Sequence, residues 1–203
     1  MARSTYHHGN LRQALVDATT RLIEEQGPQA FTLAEAARLA GVSAAAPYRH
    51  FTGKDELLEE VAAQGFVEFS ERLEAAFNDG QPSALSAFLR MGQAYLGFAA
   101  ERRGFYIAMF ESGLSIAGNP ALAQASDRAQ GVLLRGAEAL FKRLPADRRP
   151  PAGMVADHIW AMSHGVVELF GRGTPGGRSP ISPADMLESG VLIYLRGLGV
   201  ISE

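Results

Sequence analysis

The chain contains no cysteine. Disulfides, thiolate zinc sites and cysteine nucleophiles are therefore excluded. No apolar run approaches the roughly 20 residues that a membrane-spanning helix needs. The N-terminus has no apolar segment after its first charge, so a secretory leader is not expected. Charge of one sign is scarce as well. Lysine plus arginine number 19 against 22 acidic residues, a net charge of −3. By that sum the whole molecule does not look like a nucleic-acid binder. Strand-like alternation, internal repeats, a phosphate-cradling loop, a nucleophile motif and a paired-carboxylate site are all missing. Neither a catalytic residue nor a cofactor is expected, and the cytoplasm is the default location.

What is present is helix. The 203 residues suffice for one or two domains with a real core. The pattern predicts an all-α chain of about nine helices. Asn10 caps the first, whose inner face carries Leu11, Ala14, Leu15, Ala18 and Leu22. Gly27 and Pro28 end it. Thr32-Leu33-Ala34-Glu35 fits a capping box that starts the second, and Gly41 stops it. Ser43 is placed to cap a third over about 44–50. Thr52-Gly53-Lys54-Asp55 opens a fourth that runs to about Phe77, and further helices are expected over about 82–100, 102–111, 120–144, 152–170 and 183–198. The glycine- and proline-rich stretch 171–182 reads as a loop.

Two short helices joined at Gly41 describe a helix-turn-helix. The small side chains of Ala36, Ala37 and Ala40 let the axes cross closely, and Phe31 and Phe51 supply the missing core volume. Residues 44–50 then form the candidate recognition helix. Ala44, Ala45 and Ala46 can lie against thymine methyls or let the backbone approach DNA. Arg49 and His50 can donate to bases or phosphates, and Tyr48 and Lys54 are placed to hold the phosphate backbone. Thr32 sits at a helix N-terminus, where phosphate is favoured. The charge distribution fits mildly. Residues 1–54 hold six lysines and arginines against four acidic side chains, with His7, His8 and His50 besides, so the acidic excess lies in the remainder. An alanine-rich hairpin used only for packing is the alternative.

Residues 6–61 resemble the DNA-binding domain of the tetracycline-repressor (TetR) family. The matching positions are Leu15, Ala18, Leu22, Gly27, Phe31-Thr32, Ala37, Ala40-Gly41-Val42-Ser43, Tyr48-Arg49-His50-Phe51, Lys54 and Leu57-Leu58. The opening run from Tyr6 to Arg12 is similar to a recurrent start in one branch, whereas Pro47 departs from the commonest pattern. The resemblance implies a homodimer that touches DNA through positions matching Thr32, Ser43, Tyr48, His50 and Lys54. It implies a DNA-binding domain over 1–54 and a ligand-binding and dimerisation domain over 55–203.

Resemblance fades after about residue 65, but the residues remain informative. Nine of the 17 aromatic residues fall between 66 and 110. Phe66, Phe69, Met91, Tyr95, Phe98, Tyr106, Met109 and Phe110 are the candidate walls of a pocket for a hydrophobic or aromatic effector. Tyr95, Tyr106, Gln93 and Glu111 are candidate polar contacts, and ordinary core packing is the alternative. Trp160, His164 and Gly165 are similar to the tryptophan and histidine-glycine signature of one TetR C-terminal type. Trp160, His164, Gly165 and Glu168, with Leu187, Val191 and Tyr194 of the last helix, form the candidate dimer interface, a four-helix arrangement.

The expected function is a ligand-responsive, DNA-binding regulator. It would be a homodimeric repressor released from a palindromic double-stranded operator by a small molecule, and not a membrane protein. Two alternatives differ from it. One is an all-helical metal-dependent enzyme using Asp157, His164 and Glu168, which share a helix face. The other is an activator of the same fold.

Overall fold

The computed structural model describes residues 11–171 and 180–201, and among them there is no strand. The proposed Asn10 cap, the run starting at Tyr6 and most of the 171–182 segment lie outside the described residues. Eight α-helices follow in order: α1 (Leu11–Gln26), α2 (Leu33–Leu39), α3 (Lys54–Phe77), α4 (Ala84–Glu101), α5 (Arg103–Phe110), α6 (Pro120–Phe141), α7 (Ala152–Val166) and α8 (Pro183–Gly197). Short 3-10 turns join several of them, and a π-helical turn, Val167–Gly171, continues α7.

The count falls one short of nine because the predicted helix at 44–50 is not an α-helix. Its ordered core is a 3-10 turn, Pro47–Arg49. Pro47 has no N–H to donate to a carbonyl four residues back. The chain closes three-residue bonds instead: Ala46 N–H to the Ser43 carbonyl (2.9 Å), Arg49 N–H to Ala46 (3.2 Å) and His50 N–H to Pro47 (2.9 Å). Ser43 thus contributes its carbonyl, and Ala46 occupies the cap position without a side-chain bond.

The start of α2 is as predicted. The Glu35 N–H donates to Thr32 Oγ1 at 3.2 Å, and the Thr32 N–H donates to Glu35 Oε2 at 2.8 Å. Such a cap is worth about 1 kcal/mol. The other end closes in a Schellman motif, with Val42 N–H bonded to the Ala37 carbonyl and Gly41 N–H to Arg38. That motif needs a left-handed residue, and Gly41 supplies φ +74°.

The backbone divides into two compact units. The first holds described residues up to 66 together with 102–124. Its core joins Leu15, Val16, Leu22 and Ile23 of α1 to Phe31, Ala36, Ala37, Phe51, Leu57, Leu58 and Val61, all buried. α5 packs here, against α1. Gly104 permits this, because a Cβ there would lie 2.4 Å from the Thr20 carbonyl oxygen and 2.6 Å from Thr20 Cγ2. The Gly104 N–H donates to Glu24 Oε1 at 2.9 Å, which places a carboxylate at the start of α5.

The second unit holds 67–101 and the described residues from 125 onward. Arg72 ties α3 to α4 by bonding Glu68 and Glu101, each at 2.8 Å. Gly136 of α6 accommodates Phe88 and Met91 of α4, and Gly92 accommodates Leu187 of α8, all at about van der Waals contact or closer. α8 begins at Ser182, whose hydroxyl oxygen accepts from the Asp185 N–H at 3.1 Å.

Candidate nucleic-acid interface

Residues 43–51 form a small relief on the first unit. Pro47 and Phe51 are buried and anchor it, while Ser43, Ala44, Ala45, Tyr48 and Arg49 are exposed and His50 is half-buried. Tyr48 is 63% exposed, a high value for a large ring. With three residues per turn, side chains three apart align. Only Pro47–Arg49 are wound this way, and the Phe51 N–H returns to the Pro47 carbonyl four residues back at 3.0 Å, so Phe51 turns inward while Tyr48 stays outside.

The anchoring rings carry cations. Arg12 lies 5.0 Å from the Phe51 ring centroid, and Lys54 Nζ lies 4.7 Å from that of Phe31. Arg12 also bonds Glu60 at 2.6 Å. That guanidinium holds the Glu60 carboxyl below the usual carboxylate range, and Gln64 adds to the effect while partial burial opposes it. Lys54 Nζ donates to the Gln29 carbonyl at 2.6 Å. Its ammonium therefore braces the loop before α2, a role that the sequence did not predict. Thr32 is exposed, but its hydroxyl and N–H both serve the Glu35 carboxylate. A phosphate approaching this helix start would meet that negative charge.

The eight candidate pocket residues separate into two clusters. In the first unit, Phe110 lies tilted against Tyr106 (4.9 Å between centroids) and meets Phe66 edge-on (5.6 Å), while Met109 abuts Gly65. In the second unit, Phe69 meets Tyr95 and Phe98, each at 5.1 Å, and Trp160 at 6.2 Å. Met91 is buried in the same unit. Tyr95 is almost fully buried, and its hydroxyl lies 3.2 Å from His164 Nδ1. Of the remaining polar candidates, Gln93 and Glu111 are exposed.

The candidate dimer residues face two ways. Leu187 and Val191 point inward and line a narrow apolar crease with Phe88, Gly92 and Ile159. Trp160, His164, Gly165, Glu168 and Tyr194 are half-buried. The exposed apolar residues in this unit are Met154, Leu169, Ile181 and Ile193, which the sequence pattern does not single out. His158 Nδ1 pairs with the Tyr194 hydroxyl at 2.7 Å, and partial burial raises the Tyr194 phenol above its ordinary range.

Asp157, His164 and Glu168 do not assemble a metal site. Among the described residues, no three histidine or acidic side chains are grouped to hold an ion. Asp157 instead accepts from Gln130 at 2.9 Å. Gln130 of α6 and Tyr95 of α4 engage Asp157 and His164 separately, so a shared helix face does not make these side chains converge.

Two family models match the chain. Residues 15–61 match the bacterial regulatory proteins of the tetR family, and residues 88–193 match the tetracyclin repressor-like C-terminal domain. The HTH-type transcriptional regulator BetI of Rhizobium meliloti is 51% identical over 47 residues, covering 23% of each chain. The uncharacterized regulator YobS of Bacillus subtilis is 25% identical over 100 residues, 49% of this chain and 51% of its own. The chain thus spans between a quarter and a half of the length of these curated relatives. Among solved structures, a Rhodococcus sp. RHA1 protein of unknown function superposes with a TM-score of 0.78 at 26% identity, over 96% of this chain and 98% of that one. The TetR-family regulator PfmR of Thermus thermophilus shares the fold, with a TM-score of 0.66 and 21% identity over 90% of this chain and 97% of its own. The C-terminal match alone spans more than half of the 203 residues, and the chain belongs to the tetR family of bacterial regulatory proteins.

Proposed function

We propose that this regulator binds a palindromic DNA operator as a homodimer and leaves it when a small apolar effector binds. One observation carries the DNA reading. Buried Pro47 and Phe51 hold Ser43, Ala44, Ala45, Tyr48 and Arg49 outward on a short wound segment at the end of a helix-turn-helix. In the proposal, residues 1–54 are the DNA-binding headpiece. Tyr48, Arg49 and His50 hold phosphates and base edges, Ser43 and the alanines face the groove, and Thr32 and Lys54 fix the edges of the headpiece. Paired segments would sit about 34–36 Å apart, one turn of duplex. Anisotropy titration of DNA from around the protein's own gene, against a scrambled duplex, tests this. Sequence-preferring binding that weakens with salt is expected, and equal, salt-independent binding to both would end the reading.

Dimerisation is assigned to the outer face of α7 and α8. Support comes from exposed Met154, Leu169 and Ile193 beside half-buried Trp160, His164, Glu168 and Tyr194. A Cβ added at Gly165 would have nothing within 4 Å, which leaves room for a partner helix. Leu187 and Val191 support that face from beneath. Effector binding is assigned to the cluster of Phe69, Met91, Tyr95, Phe98 and Trp160. The Tyr95–His164 pair is the polar feature that a weakly polar aromatic compound would engage. Phe66, Tyr106, Met109 and Phe110 are assigned a core role in the first unit. Trp160 is the chain's single tryptophan, so its emission reports on this cluster. Apolar aromatic compounds should quench or shift it in the wild type and less so in Tyr95→Phe. The protein would work in the cytoplasm, where its operator lies. Among the described residues no helix is long and apolar enough to cross a membrane.

A further inference from the structure

We infer that Gln29 and Lys54 serve DNA binding as positioning residues: together they clamp the loop that leads into the helix-turn-helix, and neither takes a phosphate. The inference rests on the DNA-binding reading above and gives the headpiece a support outside residues 1–54.

The loop between α1 and α2 aims the helix-turn-helix, because Phe31 and the Thr32 cap follow it directly. Gln29 holds that loop from two sides. Its side-chain Nε2 donates to the Ser112 carbonyl at 2.8 Å, a link between residues 83 apart in sequence, and its own carbonyl accepts from Lys54 Nζ at 2.6 Å. Both partners stand on firm supports. Ser112 is buried just beyond α5, and its hydroxyl donates to the Ala108 carbonyl at 2.6 Å. Lys54 opens α3 and lies 4.7 Å from the ring centroid of Phe31, which is itself buried. The 102–124 segment is stitched to the same unit elsewhere, by Glu24 at Gly104 and by Asn119 Nδ2, which donates to Glu59 Oε2 at 2.7 Å. Ser112 and Lys54 are thus held in one frame, and the loop hangs between them.

Lys54 is badly placed for DNA. Its ammonium already donates to a carbonyl and lies against an aromatic face. A phosphate would have to offset the loss of both contacts. Gln29 is exposed, so fixing its side chain on Ser112 costs rotamer entropy without covering core. What the bond does is fix the direction of the loop. Losing one such bond shifts the balance between two poses by about fivefold. Affinity falls with the population of the binding-competent pose. A dimer loses the bond twice, for a total of up to about 25-fold.

A double-mutant cycle on the full-length protein tests the clamp. Gln29→Ala, Lys54→Met and the double variant are titrated by anisotropy, over a series of salt concentrations. The duplex is one that the wild type enriches from a random pool. Each single variant should bind about 5–25-fold more weakly. The double variant should lie within about twofold of the weaker single, because a clamp fails when either jaw is lost. The slope of log affinity against log salt should keep its wild-type value throughout, since no phosphate contact is removed. A phosphate-bound Lys54 would instead flatten the slope in Lys54→Met by about 0.9 for each chain bound. In the free protein, Gln29→Ala should speed amide hydrogen exchange at 29–35 with an unchanged circular dichroism spectrum. Unchanged affinity in Gln29→Ala, losses that multiply in the double variant, or a flattened slope in Lys54→Met would each overturn the inference and leave the DNA-binding reading intact. If Lys54→Met does not fold, Gln29→Ala decides alone, and unchanged exchange or affinity overturns the clamp. A wild type that enriches no duplex would overturn the DNA-binding reading itself.

Discussion

Replacing Gly104 with alanine tests whether α5 is fixed to α1 through direct backbone contact. The new Cβ would lie 2.4 Å from the Thr20 carbonyl oxygen, 2.6 Å from Thr20 Cγ2 and 3.0 Å from Glu24 Cγ. The threonine methyl and the glutamate stem can rotate away, but the carbonyl belongs to the α1 backbone and cannot. Overpacking of this kind costs about 1–3 kcal/mol. Displacing Glu24 also weakens its bond to the Gly104 N–H, a further loss of about 1 kcal/mol. Alanine's better helix propensity returns about 1 kcal/mol. The net expectation is a destabilisation of about 1–3 kcal/mol. In a chain of this length that lowers the melting temperature by about 2–12 °C. Urea unfolding at one fixed protein concentration measures it, because dimerisation would make stability depend on concentration. The midpoint should fall with an unchanged slope. Gly131→Ala is the control. Gly131 lies within α6 and its Cβ would meet only the mobile end of Arg135, at 4.0 Å. That variant should gain about 0.5–1 kcal/mol. If the two variants unfold at the same urea concentration, the close packing of α5 on α1 is refuted.

Thr32→Ala removes the α2 cap and should cost about 1 kcal/mol, seen as a lower urea midpoint; no change would mean that Glu35 does not depend on the hydroxyl. Tyr48→Ala should weaken operator binding at least tenfold while its melting temperature stays within about 1 °C of wild type, since the ring is mostly in solvent; an unfolded variant would make Tyr48 a core residue. Ile193→Asp places a charge on the proposed dimer face, where Ile193 is 67% exposed in the single chain. Sedimentation should then report monomers with native helix content, and an intact dimer would move the interface elsewhere. Arg12→Gln removes the partner that lowers the folded-state pKa of Glu60. The stabilisation is therefore present above the ordinary glutamate range and is lost as pH falls through the lowered folded value. The variant's deficit, about 0.5 kcal/mol for so exposed a pair, should be seen at pH 7 and shrink in paired urea titrations as the pH is taken below the ordinary glutamate range.

Helix ends were legible in the sequence because their chemistry is local. Thr32 and Glu35 make both limbs of the capping box, Gly41 takes positive φ, and the long helix expected to open at Thr52-Gly53-Lys54-Asp55 and run to about Phe77 is α3. The recognition segment was legible in place but not in kind. Pro47 removes one donor that α-helical winding from Ser43 would use, and three-residue bonds form at Ala46, Arg49 and His50. Partners across the fold were not legible. Lys54 looked free for phosphate, but its long stem reaches the Gln29 carbonyl, 25 residues back. The 102–111 segment is apolar on most sides, so its periodicity could not say which helix it meets. Gly104 was the available signal, since a buried glycine within a helix marks a close approach, but its partner, Thr20, cannot be read from one chain of letters. Leu187 and Val191 were read as interface residues because apolar character alone does not separate an inward face from an outward one; the exposed large apolar side chain of that helix is Ile193.

The account stands or falls on whether the exposed relief at 43–50 grips DNA in pairs. The most direct measurement is an anisotropy titration of an enriched duplex at two salt concentrations, with stoichiometry read at saturating DNA. Two chains per duplex, affinity that falls steeply with salt, and loss of that affinity in Tyr48→Ala are predicted. Binding by single chains, or affinity untouched by both salt and the loss of Tyr48, would contradict the account.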